Sequence, residues 1–344
     1  MLYPYKFQPI LVERVWGGDA LGRFGKSVRP GQRIGESWEI SDRIEAQSIV
    51  SNGPLQGQTL HDLVASLGSQ LVGTNAEILP GTTGPGRFPL LIKLLDARDR
   101  LSLQVHPPAD VAARLGGEPK TEMWYVLETE PHAHLIAGLR DGVTRYQFEE
   151  ALRDSPIATQ QSKIENYVHR FPVLPGESFF VPSGRIHAID AGVVLAEIQQ
   201  NSDTTYRVYD WGRAGLDGKL RKLHVPEALA CIDFQDFEPR KIEPMAEYRD
   251  VNGLWRLVDC PCFCVHQYRL RNAAPERCDG GSFHILGCVA GKVGIFTSNN
   301  PEETLRCGEF ALVPAGLGYY TLTPLEESTR VLKVFLPARQ EVAI

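Results

Sequence analysis

Hydrophobic residues in this chain form short runs that glycine or proline interrupts at small intervals, with 32 glycines and 24 prolines along the sequence. Such spacing is typical of many short strands joined by turns, so the pattern predicts a mainly β fold, a sandwich or a barrel. A helical period occurs in only a few places. It predicts short helices over 59–72, with Thr59 as N-cap, over 144–152 and over 226–232.

A nine-residue pattern, Gly-Glu-x-x-x-Val-Pro-x-Gly, occurs at 176–184 and again 132 residues later at 308–316. The strand predicted at 124–127 has a looser echo at 283–286. Segments that recur in pairs in this way predict two copies of one small β-barrel.

The stretch 234–244 is polar and contains two prolines, which makes it the best candidate for a linker between the two copies. We therefore predict an N-terminal domain at 1–235, with short helical insertions, and a C-terminal domain at 236–344.

Charge and composition exclude several classes of protein. Acidic residues outnumber basic ones 42 to 36, and without a basic surplus or stripe the chain is not a general nucleic-acid binder. No apolar run reaches the ~18 residues of a membrane helix, and the first residues lack the apolar core of a signal peptide. The cysteine count of seven is odd and argues against a disulfide framework, so we expect a reduced, cytoplasmic protein.

The first group of candidate site residues alternates along one predicted strand. Ser102, Gln104 and His106 are separated by aliphatic residues, which places the three polar side chains on one face of the strand. Polar groups that face the interior of a small barrel are costly unless they bind something. An ordinary exposed sheet face is the alternative for this segment alone.

A second polar pair begins an otherwise apolar strand, where Lys120 and Glu122 share a face. A surface ion pair is the alternative for these two, and a structural histidine is the alternative for His187, which follows the first copy of the repeat. Taken together, however, two histidines, a carboxylate and an amide predict a site for zinc, or for a neighbouring ion such as Mn or Co, made by Gln104, His106, Glu122 and His187. The second copy of the repeat has Tyr319 in place of this histidine, so we expect one metal site per chain.

Two further charged residues lie in β-forming segments that follow the repeat. Glu197 alternates with apolar neighbours, and Arg207 lies in a run of strand-forming residues. An arginine inside a barrel is either paired or directed at an anion. A buried pair with Asp203 or Asp210 is the alternative to a functional role for Arg207.

Five motifs resemble those of a known family, and they occur in the same order along the chain. They are Gln-x-His-Pro from Gln104, Lys-Thr-Glu-Met-Trp-Tyr from Lys120, Pro-x-Gly-Arg-Ile-His from Pro182, Asn-Ser-Asp-Thr-Thr-Tyr-Arg from Asn201, and an opening with Trp-Gly-Gly and Gly-Glu-Ser-Trp-Glu-Ile. The set resembles type I mannose-6-phosphate isomerase, in its compact bacterial form. The resemblance implies two jelly-roll-like cupin barrels with a few short helices.

The resemblance also implies roles for individual residues. The zinc ligands of the family match Gln104, His106, Glu122 and His187, and its catalytic arginine matches Arg207. Ser102 and Lys93 match positions close to the substrate pocket of the family, and we expect them to meet the phosphate of a phosphorylated hexose.

The implied reaction interconverts mannose 6-phosphate and fructose 6-phosphate by moving a proton between C1 and C2 through a cis-enediol(ate). Arg207 would supply fixed positive charge to the enediolate, and it is a poor base because guanidinium stays protonated. Glu197, Lys120 and a water held by the metal remain the candidates for the base. A metal-dependent cupin oxygenase and a non-enzymatic sugar-binding bicupin are the alternative functions, and either a monomer or a homodimer is compatible with the sequence.

The run Cys-Pro-Cys-Phe-Cys, which contains Cys260, Cys262 and Cys264, has no counterpart in the resemblance. We predict that the three cysteines lie on one face of a strand in the second barrel. A second metal site is the less favoured alternative.

Overall fold

The computed structural model describes residues 2–78, 86–153, 157–249, 251–298 and 301–338. In the first half of the chain, strands β1–β13 are, in order, Ile10–Gly18, Ile34–Ile40, Asp42–Arg43, Ala46–Gln47, Leu90–Ala97, Leu103–Val105, Glu122–Thr129, His134–Leu139, Val168–Pro172, Ser178–Val181, His187–Ile189, Val193–Gln200 and Tyr206–Tyr209. In the second half, strands β14–β23 are Met245–Arg249, Asn252–Asp259, Cys264–Leu270, Ala274–Arg277, His284–Ala290, Lys292–Phe296, Glu303–Arg306, Phe310–Val313, Tyr319–Pro324 and Thr329–Phe335. Helices α1–α6 are Leu60–Leu67, Ser69–Val72, Ala109–Leu115, Arg145–Arg153, Ile157–Tyr167 and Val225–Cys231, and two 3-10 helices cover Ala20–Phe24 and Thr74–Ile78.

The strands form two pairs of antiparallel sheets, one pair in each half of the chain, and β3 and β4 form a separate two-stranded sheet. The first pair is a six-stranded sheet in the order β1-β2-β5-β12-β7-β10 and a five-stranded sheet in the order β13-β6-β11-β8-β9. The second pair has six strands in the order β14-β15-β16-β23-β18-β21 and four in the order β17-β22-β19-β20. The mainly β fold predicted from the sequence is therefore confirmed. The division at 235 and 236 stays a prediction.

In the six-stranded sheet of the first half, β2, β5 and β12 are buried at every position, because both faces of the sheet are covered there. The edge strand β1 is buried only at its last three residues. On β7, Trp124 packs inside the first barrel, whereas Met123 and Tyr125 point to the other face. That other face contributes to one continuous core that also contains Phe263 and Leu332 of the second half. The two barrels are thus joined by shared hydrophobic packing.

The internal repeat occupies equivalent places in the two barrels. The strand in the first copy, β10, pairs with β7, and the strand in the second copy, β21, pairs with β18. Each copy begins at a glycine with the same left-handed φ of 88°, Gly176 and Gly308, a conformation that side chains with a Cβ rarely adopt. The sequence repeat therefore corresponds to a repeat in the three-dimensional structure.

Helices α1, α4 and α6 begin within one residue of the predicted starts, whereas the hydrophobic pattern did not predict α3 or α5. Thr59 caps α1 through a capping box with Asp62. The predicted helix 59–72 is nevertheless two helices, because Gly68 has φ 49° and ψ −127° and interrupts it. Thr144 accepts a hydrogen bond from the Gln147 N–H at the start of α4, and α6 has proline in its first turn. No helix in the described part of the chain is long and apolar enough to cross a membrane.

The stretch 234–244 has no regular strand or helix, and it packs along the first barrel, since Glu238 N–H donates to Leu139 O and Ile242 N–H donates to Ser178 O. Its role as a linker stays a prediction. The expectation that Cys260, Cys262 and Cys264 share a strand face is wrong. Only Cys264 lies in a strand, because the chain turns between β15 and β16 and a Cys260 N–H to Phe263 O bond closes that turn.

We predict that Phe283→Ala lowers the free energy of unfolding by about 3–5 kcal/mol, because Phe283 is fully buried in the shared core with its ring centroid 4.6 Å from that of Phe88. Phe296→Ala is the matched control. Its side chain is 38% exposed, and the expected loss is below about 1 kcal/mol. Chemical denaturation of both variants tests this, and equal losses would contradict the shared core.

Candidate active site

A cavity of about 570 Å³ lies between the two sheets of the first barrel. Both sheets contribute polar, inward-facing side chains to its wall. The predicted site residues that line it are Lys93, Ser102, Gln104, Lys120, His187, Glu197 and Arg207. His106 and Glu122 are buried next to them.

The strand pairing explains how residues far apart in sequence meet here. His187 on β11 lies opposite Gln104 on β6, and Arg207 on β13 lies opposite the same glutamine on the other side. In the facing sheet, Glu197 on β12 lies between Lys93 on β5 and Trp124 on β7. The sequence separations carry no information about this arrangement, since each sheet joins strands that are distant along the chain.

Three buried side chains at the base of the cavity form a candidate metal centre. Ligand atoms of His106, Glu122 and His187 all lie within 4.8 Å of one another. His106 Nε2 is 3.3 Å from one oxygen of Glu122, and His187 Nε2 is 3.6 Å from the other. The carboxylate therefore lies between two imidazole nitrogens.

The backbone fixes the orientation of both imidazoles. His106 Nδ1 is 2.9 Å from Thr204 O and His187 Nδ1 is 2.9 Å from Arg185 O, so each ring donates Nδ1–H to a carbonyl. Each ring then presents the lone pair of Nε2 to the centre, as ligand histidines do. Burial lowers the pKa of His106, and burial together with His106 lowers the pKa of His187 to about 3, so both rings are neutral.

These atoms fit a divalent cation, because they are left without hydrogen bonds. Among the described residues, His106 Nε2 and both oxygens of Glu122 are buried and have no hydrogen-bond partner, although Lys120 Nζ forms an ion pair with Glu122 Oε2 at 2.8 Å. Buried polar groups in that condition are rare and costly. A metal ion would use the lone pair of His106 Nε2 and would share the Glu122 carboxylate with Lys120.

Gln104 lies beside this centre and is the fourth predicted ligand. Its amide Nε2 is 3.3 Å from His187 Nε2, and its Oε1 accepts a hydrogen bond of 3.2 Å from the Ser102 hydroxyl. Amide oxygen and nitrogen exchange places when the amide flips. In the flipped orientation, Oε1 would take the place of Nε2 next to His187 Nε2 and could serve as a ligand.

A second group of charged residues lies above the centre. The indole N–H of Trp124 donates to Glu197 Oε1 at 3.3 Å, and Glu197 Oε2 lies 3.7 Å from Lys93 Nζ and 3.9 Å from Lys120 Nζ. Burial and the Glu122 carboxylate raise the pKa of Glu197 to about 7. Burial alone would lower the pKa of Lys120, but the carboxylates of Glu122 and Glu197 raise it above its ordinary value, so Lys120 stays protonated.

Arg207 is the cavity cation that forms no ion pair with any described carboxylate. Within the described ranges, no carboxylate oxygen lies within 4.0 Å of its guanidinium, and Asp210 is instead bound to Arg213 and Arg221. Arg207 Nη1 donates to Lys222 O at 2.9 Å, and its Nε is buried without a partner. The alternative of a buried pair with Asp203 or Asp210 is therefore wrong.

Comparison with known proteins adds a family to this geometry. A sequence model described as the catalytic domain of type I phosphomannose isomerase matches residues 5–134. Mannose-6-phosphate isomerase ManA of Bacillus subtilis (strain 168) is 34% identical over 321 residues, which cover 93% of this chain and 95% of that protein. The chain belongs to the type I mannose-6-phosphate isomerase family.

Other members of the family are similar to this chain along nearly its whole length. The mannose-6-phosphate isomerase of Streptococcus mutans serotype c is 32% identical over 91% of this chain and 93% of that protein. The crystal structure of the mannose 6-phosphate isomerase from Bacillus subtilis superposes with a TM-score of 0.83 at 29% identity and covers 96% of this chain and 99% of that one. The apo form from Salmonella typhimurium, at 17% identity and a TM-score of 0.75, shows the same fold. The resemblance and the cupin fold are thus confirmed, and the comparisons do not favour the oxygenase or the bicupin.

The isomerase site also contains residues to which the sequence assigned no role. Glu36 accepts hydrogen bonds from Arg14 Nε at 2.7 Å and from Trp38 Nε1 at 2.6 Å, and it lies 3.5 Å from Lys93 Nζ. Burial would raise the pKa of Glu36, yet Lys93 and Arg14 lower it to about 2. The available signal was the opening motif of the isomerase family, Gly-Glu-Ser-Trp-Glu-Ile, which contains Glu36.

We predict that the wild-type isomerase retains about one divalent ion per chain after dialysis, whereas Glu122→Gln retains at least about tenfold less, because the substitution removes the only charged member of the centre. Glu128→Gln is the matched control, since that carboxylate is exposed and paired with Arg23. Elemental analysis of the purified proteins measures this. Equal metal content in all three would place the ion elsewhere.

Proposed function

We propose that this chain interconverts mannose 6-phosphate and fructose 6-phosphate in the 570 Å³ cavity of its first barrel. The observation that carries the proposal is the arrangement of three kinds of group around one space. A metal centre forms the base, the carboxylate of Glu197 lies on one wall, and the guanidinium of Arg207 lies on another. An aldose–ketose isomerase needs such groups to polarise a carbonyl, move a proton and stabilise an enediolate.

Zinc is the ion we propose for the centre, held by Gln104, His106, Glu122 and His187. Two neutral imidazoles with one carboxylate and one amide oxygen are a donor set that zinc accepts, and other divalent ions such as Mn or Co accept it too. When bound, the ion supplies Lewis acidity that polarises an oxygen of the open-chain sugar.

Glu197 is the base that we propose for the proton transfer. Its carboxylate is held by the Trp124 indole N–H on one oxygen, while the other oxygen lies on the cavity side between two ammonium groups. It takes the proton from C2 of open-chain mannose 6-phosphate and returns it to C1, while the C2 hydroxyl loses its proton and O1 gains one, which yields fructose 6-phosphate. A pKa of about 7 suits a group that must both accept and donate a proton near neutral pH.

We propose that Lys120 and Arg207 stabilise the negative charge that develops on the sugar oxygens during the reaction. Lys120 is protonated next to Glu122, so it donates to a sugar oxygen and does not abstract the proton. Arg207 lines the cavity and supplies positive charge where the enediolate oxygen becomes negative.

Ser102 and Lys93 are the proposed contacts with the phosphorylated substrate, since both line the cavity. The Lys93 ammonium also lies 3.5 Å from Glu36 and 4.0 Å from Asp203, so part of its charge is compensated within the protein. We propose that the enzyme acts in the cytoplasm, where its free cysteines stay reduced.

A coupled assay of purified protein tests the reaction and the cofactor together. We expect formation of fructose 6-phosphate from mannose 6-phosphate, loss of the activity after chelation and its return when zinc is restored. Full activity after verified removal of metal would contradict the metal centre. A folded, metal-loaded protein without activity would contradict the proposed substrate.

We predict that Glu197→Gln lowers kcat by about 10²–10⁴-fold with little change in KM, because the amide cannot accept the proton but fills the same space. Glu13→Gln is the matched control, since Glu13 also lines the cavity but is exposed. Steady-state kinetics of both variants, with metal content and thermal melting verified as unchanged, measure the effect. A Glu197→Gln enzyme within threefold of wild type would assign the base to another group.

A further inference from the structure

Glu36 lies on the strand next to the one that carries Lys93. Because Glu36 and Trp38 are two residues apart on β2, their side chains point to the same face of the sheet. Trp38 lies opposite Lys93 of β5 in the strand register, and the Lys93 Nζ atom lies over the indole, 4.6 Å from the ring centroid. Glu36 and Lys93 both line the cavity, so the register brings a carboxylate and an ammonium group together at its wall.

Two protein donors fix the position of the Glu36 carboxylate. Arg14 Nε of β1 donates to Oε1 at 2.7 Å, and Trp38 Nε1 donates to Oε2 at 2.6 Å. The side chain is buried, and its pKa of about 2 keeps it ionised at neutral pH. Glu36 is therefore a negative charge that cannot follow Lys93 if the lysine moves.

The Lys93 ammonium is shared among three carboxylates. Its Nζ atom lies 3.5 Å from Glu36 Oε2 and 3.7 Å from Glu197 Oε2. Asp203 Oδ1 lies 4.0 Å away on a third side chain. All three distances exceed the roughly 2.7–3.2 Å of an N–H···O hydrogen bond, so the three carboxylates attract the ammonium without any of them holding its N–H groups.

We propose that Glu36 is a positioning residue that holds Lys93 away from the carboxylate of Glu197. If Glu36 loses its charge, Glu197 and Asp203 remain within 4.0 Å of the ammonium. The Glu197 side chain is 5% exposed and that of Asp203 is 46% exposed. Opposite charges attract each other more strongly where water is excluded, so the ammonium moves toward Glu197 and donates a hydrogen bond to its Oε2.

This movement affects both groups, and its effect on activity rests on the proposed function. A Glu197 oxygen that accepts a hydrogen bond from Lys93 is a poorer acceptor for the substrate proton. The lysine, in turn, has fewer N–H groups left for the phosphate of the substrate. One added hydrogen bond between charged groups is enough for a loss of about tenfold in rate.

A double-mutant cycle in the metal-loaded enzyme tests the inference, with mannose 6-phosphate as the substrate. We expect Glu36→Gln, which keeps the size of the side chain and removes its charge, to lower kcat by about tenfold. In a Lys93→Met enzyme the same substitution should change kcat by less than about twofold, because the lysine that would engage Glu197 is absent. Equal effects of Glu36→Gln in the two backgrounds would show that Glu36 does not act through Lys93.

Glu13→Gln is the matched control for the loss of one negative charge at the cavity. Glu13 lines the cavity but is exposed, so its substitution should leave kcat within about twofold in both backgrounds. A tenfold loss in this variant too would assign the effect to the total charge of the cavity, which overturns the positioning role of Glu36.

Crystal structures of the metal-loaded wild type and of Glu36→Gln give a second readout that does not depend on activity. In the variant we expect Lys93 Nζ within about 3.0 Å of Glu197 Oε2. An ammonium that keeps its wild-type position would overturn the inference, and this result decides the question even where Lys93→Met is too slow to measure. A wild-type enzyme inactive on mannose 6-phosphate would contradict the proposed function, whereas an active wild type with an equally active Glu36→Gln variant would contradict only the role of Glu36.

Discussion

The arrangement of the active site follows from one buried carboxylate. Glu122 is fully buried at the start of a strand, and its two oxygens lie between the Nε2 atoms of two neutral histidines. A buried charge is costly unless it is paired, and Lys120 pairs with it on one side only. The backbone carbonyls at Thr204 and Arg185 fix the imidazoles so that their lone pairs also face the centre. The structure thus holds a set of acceptors together that a divalent cation would stabilise.

The second barrel has the same fold, but its described residues include no candidate metal centre. Its interior also contains charged and polar side chains, but these satisfy one another. Lys333 lies 2.9 Å from Glu276, and His284 Nδ1 lies 2.8 Å from the Tyr320 hydroxyl. Tyr319, which replaces the histidine of the first copy, is 71% exposed and contributes nothing to this interior. The fold alone therefore does not make an active site. The site of the first barrel depends on buried acceptor atoms, such as those of His106 and Glu122, that no hydrogen-bond donor of the described residues satisfies.

The sequence predicts what depends on local periodicity and motif, and it fails where contacts between distant segments decide. Alternation places Gln104 and His106 correctly on one face, and the capping residues locate the starts of α1 and α4. Helices α3 and α5, the break at Gly68 and the turn at Cys260 were not predicted, because they depend on tertiary contacts or on single dihedral angles. The pairing of Arg207 could not be decided from its neighbours, because Arg213 and Arg221 compete for Asp210. The sequence assigned no role to Glu36, because its partners, Arg14 and Lys93, come from two other strands.

We infer that the cavity is built around a metal ion at Glu122 and the two histidines. Anomalous diffraction from crystals grown with zinc, measured on both sides of the zinc absorption edge, would locate that ion. We expect one strong peak per chain in the first barrel, at about 2.0–2.2 Å from His106 Nε2, His187 Nε2 and an oxygen of Glu122, with the amide oxygen of Gln104 turned toward it. A peak bound elsewhere, with these three side chains unchanged and in contact only with each other, would show that they are not metal ligands.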